Sequence, residues 1–140
     1  MWASGYKVMD YNIQKVVAIP TCWGSTKKII IGKNVKLLNT LFNTISGVIT
    51  IEDDVFFGHN VCVITGAHDV SRRGMDRQQA SLHNRNIFIG RGVWIASNVT
   101  VMGPCRIGEH SVIAAGSAVR GDVRACSLYA GVPAVFIKEI

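Results

Sequence analysis

Ile89, Ile95, Val101, Ile107, Ile113 and Val119 recur every six residues without a miss. Four places after each stands a small or β-branched residue: Val93, Val99, Cys105, Ser111, Ser117 and Val123. The position before that second set reads Gly92, Asn98, Pro104, His110, Gly116 and Asp122. Gly, Asn, Asp and His are the residues that best tolerate positive φ, so these are turn positions. Each hexad therefore predicts one short strand with an inward aliphatic, followed by a corner. Three hexads close one rung of a parallel β-helix.

The pattern returns upstream in other phases. Ile31 and Leu37 lead one pair of hexads, with Asn34 at the first turn. Ile45, Ile51, Phe57 and Val63 form a second phase, with Asp54 and Asn60 at turns and Val55 and Val61 inward. Between the two the phase slips by two residues. From Ile64 to Ile89 the period disappears, because 69-DVSRRGMDRQQASLHNRN-86 has no apolar repeat. A solenoid accepts such an insertion at a corner, where it projects as a loop. The chain thus divides into a cap segment at 1–28, a β-helix at 29–125 carrying the loop 69–86, and a tail at 126–140. A short helix is expected after Pro133.

Composition supports one narrow aliphatic core: 140 residues, 49% hydrophobic and only 17% charged. No stretch is long and apolar enough for a membrane span, and no signal peptide stands out. Cysteines 22, 62, 105 and 126 are widely spaced without a CxxC, which argues against a zinc site or a disulfide framework and for structural thiols in a reducing cytoplasm. Cys62 should face out and Cys105 in. The net charge of +6 is concentrated partly in the loop, at Arg72, Arg73, Arg77 and Arg85. Aromatic interleaving and nucleic-acid motifs are missing, so an anionic small ligand suits that cluster better than nucleic acid.

The stretch 89-IGRGVWIASNVTVMGPCRIGEHSVIAAGSAVRGDV-123, with 129-YAGVPAVFIK-138, resembles the C-terminal half of the hexapeptide-repeat acetyltransferases related to galactoside and maltose acetyltransferases. The piece 50-TIEDDVFFGHNVCVITGAHD-69 resembles that family's coil ending in its catalytic histidine, and its FGHN and TG-x-HD wording is also similar to acetyltransferases of bacterial capsule and O-antigen clusters. The resemblance implies a left-handed β-helix, a homotrimer with active sites between subunits, acetyl-CoA as donor and a sugar as acceptor.

By itself, a histidine at a coil edge is a solvated corner residue; the resemblance makes His68 the general base. An imidazole there can take the proton of a hydroxyl as that oxygen attacks a thioester. Asp69 is adjacent, but neighbours on a strand point apart. His59 is the internal rival, whereas His83 and His110 read as a loop and a corner residue. The resemblance further implies that a backbone amide in the Trp94–Ser97 segment, matched at Ser97, receives the oxyanion. It implies that the backbone at Ala115 pairs with the pantetheine arm, and that Trp94 lines the same groove or packs between subunits. Arg120 and Lys138, with Arg124 third, are candidates for the phosphates of CoA.

This chain departs from the family's wording at Arg120-Gly121 and at Gly103-Pro104. A proline cannot adopt positive φ, so that corner must differ locally. The galactoside-binding residues align poorly, which leaves Asn39, Asn43 and Ser46 as acceptor candidates and Arg77 and Arg85 for an acceptor phosphate. A carbonic-anhydrase zinc site needs three histidines, two of them close in sequence; spacing at 59, 68, 83 and 110 fails this, and no metal is expected. The chain reads as a cytoplasmic O-acetyltransferase for a surface polysaccharide. N-acetylation of an amino sugar nucleotide and a non-catalytic trimeric scaffold are the alternatives.

Overall fold

The computed structural model describes residues 18–140. Five tiers of short strands follow in chain order. They are β1 (Thr21–Trp23) and β2 (Ile29–Ile31), then β3 (Leu41–Asn43), β4 (Ile49–Ile51) and β5 (Phe56–Phe57). The third tier holds β6 (Cys62–Ile64), a short helix α1 (Gly74–Gln79), β7 (Ile87–Ile89) and β8 (Trp94–Ile95). Then come β9 (Thr100–Ile107), β10 (Val112–Ile113), β11 (Ala118–Val123), β12 (Ser127–Gly131) and β13 (Ala134–Glu139).

The strands stack in parallel on three faces, which is the β-helix the hexads predict. One face runs β1, β3, β6, the first half of β9 and β11. A second runs β2, β4, β7 and the second halves of β9 and β11. The third runs β5, β8, β10 and β12, beginning at the bridge from Lys36 to Phe56. Ile95 pairs with Ile113 and Ile89 with Ile107, so the upper coils repeat every three hexads. Lower down, Ile31 pairs with Ile51, two residues later than a regular coil would allow, which is the phase slip.

The alternation along each strand decides what is buried. Ile49, Ile51, Val55, Val61, Val63, Ile89, Val93, Ile95, Val99, Val101, Ile107 and Ile113 form the fully enclosed axis of the coil. Asn34, Asp54, Asn60, Gly92, Asn98, His110 and Gly116 all take positive φ at corners, as their chemistry predicts. At Gly92 a side chain would also collide with the His110 ring one tier above. The Asn34 carboxamide donates to Asp54, and Asn39 exchanges two hydrogen bonds with Asn60, so the corners are laced vertically.

Four expectations need correction. Ile45, expected inward, is 40% exposed; Phe42, Thr44 and Ser46 turn inward there instead, because the two extra residues shift the phase before β4. Ile31 is also exposed, since it belongs to the first described tier and no other described tier packs beneath it. Asp122 does not make a left-handed corner, whereas the corner at Pro104 differs locally as a proline requires. β9 changes face at Gly103-Pro104 without a left-handed residue, and beside it β11 carries a bulge in which Gly121 takes the positive φ. Finally, the tail contains no helix. β12 adds a fifth tier, and β13 folds back on it antiparallel. Val135, Phe136 and Ile137 are β-formers with no apolar stripe on which a helix could seat, and β12 offers them an unpaired edge.

The coil also begins earlier than 29: β1 already pairs with β3, so residues 21–28 belong to the stack. The remainder of the expected cap, residues 1–17, lies outside the described residues.

Candidate active site

The excursion leaves the coil directly after β6. Its base is closed by Asp69 N–H donating to Ala80 O and Leu82 N–H donating to Ala67 O, with α1 at the tip. His68 and Ser81 face one another across that base as an antiparallel bridge. The return leg, at Arg85, is squeezed between Gly47 and Gly103, where any Cβ would strike its backbone. The loop is therefore an ordered arm, anchored at both ends, and not a floppy insertion.

His68 is exposed and lies on the wall of a pocket of about 480 Å³. Trp23, Asn43, Ile45, Gly66, Ala67 and Ser81 complete the lining. Geometry explains the assembly: Trp23, Asn43 and Ile64 are register partners at the ends of β1, β3 and β6, so three tiers present their last residues along one corner. Asn43 Oδ1 accepts the Ile45 amide at 3.0 Å, and its carboxamide lies over Gly66, where a Cβ would come within 2.7 Å. Ser46 is buried and supports the segment before His68. Its hydroxyl accepts the Ala67 amide at 3.3 Å, while its own amide donates to Thr65 Oγ1 at 3.1 Å.

Asp69 does not orient His68 through its carboxylate. Oδ1 accepts the Ser71 amide and hydroxyl, and Oδ2 accepts Arg72 Nε. Those bonds, led by the Ser71 hydroxyl, hold its pKa below the ordinary carboxylate value.

Of the acceptor candidates, only Asn43 lines the pocket. Asn39 is spent on the corner ladder with Asn60. Arg77 donates to the Arg72 and Val70 carbonyls within the arm. Arg85 donates to Thr65 O and Gly103 O, riveting the arm to two tiers of the coil. Trp23 and Ser81 were not singled out from the sequence. A lone aromatic twenty residues before Asn43 offered only the coil length as a signal.

Two of the donor candidates, Ser97 and Ala115, lie at the opposite corner of the same face. Ser97 stacks so closely on Gly58 that a Cβ there would meet Ser97 N, and Gly116 N–H donates to Ser97 O, bringing the exposed Ala115 one tier above. Open space surrounds Gly116. Trp94 stands on the adjoining face, 44% exposed and stacked on Phe56 with centroids 5.7 Å apart. Small residues along a straight corner, flanked by an aromatic ledge, suit a long thin ligand arm. Arg120 is exposed on β11, and Lys138 pairs with Leu128 on the third face. Arg124 lies over the Phe136 ring at 5.3 Å. His59 donates its backbone N–H to Ser97 Oγ at 3.0 Å and thus belongs to the donor corner.

Burial pushes the Cys105 thiol up to about 12, with the Asp122 charge adding to it, so this thiol stays protonated and is a packing residue. Among the described residues no group of three His, Cys, Asp or Glu could hold a metal ion, and no helix is long and apolar enough to cross a membrane.

Residues 86–121 match the family described as bacterial transferase hexapeptide (six repeats). The galactoside O-acetyltransferase of Escherichia coli (strain K12) is 37% identical over 92 residues, covering 66% of this chain and 44% of that protein. The chain carries the bacterial transferase hexapeptide repeat and is similar to the hexapeptide-repeat acetyltransferases. A solved galactoside acetyltransferase in complex with coenzyme A superimposes with a TM-score of 0.78 at 32% identity, over 89% of this chain and 61% of the other. A hexapeptide-repeat acetyltransferase of Vibrio cholerae, complexed with acetyl coenzyme A, gives 0.76 at 31% identity, over 85% and 63%. The chain spans about half the length of the curated relatives it matches.

Proposed function

We propose that this hexapeptide-repeat protein transfers the acetyl group of acetyl-CoA to a sugar hydroxyl, with His68 as general base, in the assembly of a surface polysaccharide. The observation that carries the reading is the place of His68. It stands at the corner where the coil breaks into the arm, exposed, on the wall of the one pocket that also holds Asn43.

In this reaction the imidazole accepts the proton of the acceptor hydroxyl while the oxygen bonds to the thioester carbonyl carbon. The carbonyl oxygen becomes an oxyanion, received by the backbone amide at Ser97. Collapse breaks the carbon–sulfur bond, and the CoA thiolate leaves with the proton that the imidazolium returns. On one chain His68 and Ser97 lie on opposite corners of a face. A homotrimer, in which the donor corner of one copy meets the His68 corner of the next, brings them together. Trp94, Ser97 and Ala115 then hold the pantetheine arm, and Arg120 and Lys138 the phosphates. The cytoplasm, where acetyl-CoA is made, is the proposed location. Similar wording in the FGHN and TGAHD segments to capsule and O-antigen acetyltransferases supports the polysaccharide role.

Binding of the donor is tested first. A ligand that binds only the folded form stabilises it, by about 2.7 kcal/mol at a hundredfold excess over Kd. CoA at that excess should raise Tm by roughly 5 °C or more. An unchanged Tm at millimolar CoA would support a non-catalytic scaffold instead.

A further inference from the structure

We infer that Trp23 is a stacking platform for the ring of a pyranose acceptor, and so a specificity-determining residue of the pocket that holds His68; the inference rests on the acetyltransferase reading above. Trp23 is 69% exposed at its strand end, so packing among the described residues does not account for it. Its strand is fixed through the backbone. β1 pairs with β3, and Trp23 O accepts the Thr44 amide at 3.0 Å, so the indole is held out from a rigid edge. Beside it Gly24 takes φ of 110°, and a Cβ built there would touch Thr44 Oγ1 and reach the Ile45 side chain. The chain thus turns tightly after the tryptophan and brings Ile45 against the same edge.

The pocket lining consequently offers two kinds of surface: Trp23 and Ile45, both exposed, are apolar, while Asn43, Ser81 and His68 are polar. A pyranose has the matching anatomy. Its C–H bonds cover one face of the ring and its hydroxyls point outward around the rim. The negative face of an indole attracts such C–H groups while burying their apolar area. Because Asn43 Oδ1 is occupied by the Ile45 amide, its Nδ2 is the atom left to donate to a rim hydroxyl. A ring resting on Trp23 would then turn an edge hydroxyl toward His68. Acyclic alcohols have no flat C–H face and gain nothing from the indole.

The experiment measures release of the CoA thiol from acetyl-CoA with a panel of p-nitrophenyl hexopyranosides and with glycerol, for the wild type, Trp23→Ala and Trp23→Phe. The expected result is an acceptor KM about tenfold or more higher in Trp23→Ala for the pyranosides, with the KM for acetyl-CoA within about twofold. Trp23→Phe should recover most of the loss, and glycerol acetylation, however slow, should be indifferent to both changes. A pyranoside KM unchanged in Trp23→Ala overturns the stacking role while leaving the acetyltransferase reading intact. Equal losses for glycerol and pyranosides, or a lower Tm or altered oligomeric state, would assign the indole to subunit packing and overturn it likewise. If the wild type transfers to no pyranoside, both the inference and the sugar reading fall.

Discussion

His68→Ala should lower kcat by roughly two to four orders of magnitude, the usual scale of lost general-base assistance. The loss should be confined to turnover. His68 is exposed, and its pairing with Ser81 across the base of the arm uses the backbone, which alanine keeps. The donor residues lie on the other corner of the face, so the rise in Tm with CoA should be that of the wild type. His59→Ala makes the matched control. It too is exposed, and the bond it makes to Ser97 runs through its amide. If that control cripples turnover while His68→Ala retains near-full activity, the base has been assigned to the wrong corner.

Ile107→Asp should abolish the fold. Ile107 is fully buried in β9, stacked between Ile89 below and Val123 above. A carboxylate there has neither water nor a cation. It must ionise in an aliphatic stack or stay protonated with its hydroxyl unpaired, and either costs several kcal/mol. A domain of this size is stable by only about 5–15 kcal/mol, so cooperative unfolding should be lost or shifted far downward. Arg106→Asp, one residue away on the outward side, gives up mainly the stacking of its guanidinium on Phe88 at 4.1 Å. That should cost about 1 kcal/mol or less. Thermal unfolding by circular dichroism separates the two. A well-folded Ile107→Asp variant would mean that the alternation runs the other way.

The axis of the coil was legible because it depends on a short period: each inward residue and its corner lie within six positions. The misses arise where longer-range contacts decide. Ile45 follows the hexad count, yet a coil two residues longer rotates Thr44 and Ser46 inward in its place. The tail after Pro133 has too few residues for a period, and its strand state comes from the edge that β12 leaves free. Gly121, not Asp122, takes the positive φ, at a register shift of β11 against β9 that a six-residue count does not reveal.

The site divides in the same way. Two of the candidates, His68 and Asn43, line one pocket, but His68 was picked out by the family resemblance and not by its own surroundings. What Arg77 and Arg85 do was not legible, since a guanidinium reads as a ligand for anions until its carbonyl partners are known. Trp23 became visible only once β1 proved to be the first described tier, placing it in line with Asn43.

The most direct test of the account is whether thiol release from acetyl-CoA depends on a sugar. With wild-type protein and acetyl-CoA, adding a hexopyranoside should raise the rate well above the slow hydrolysis seen without it, and the product should carry an ester that mild base removes. A rate indifferent to every sugar offered, or a base-stable amide formed only on amino sugars, would contradict O-acetylation of a sugar hydroxyl.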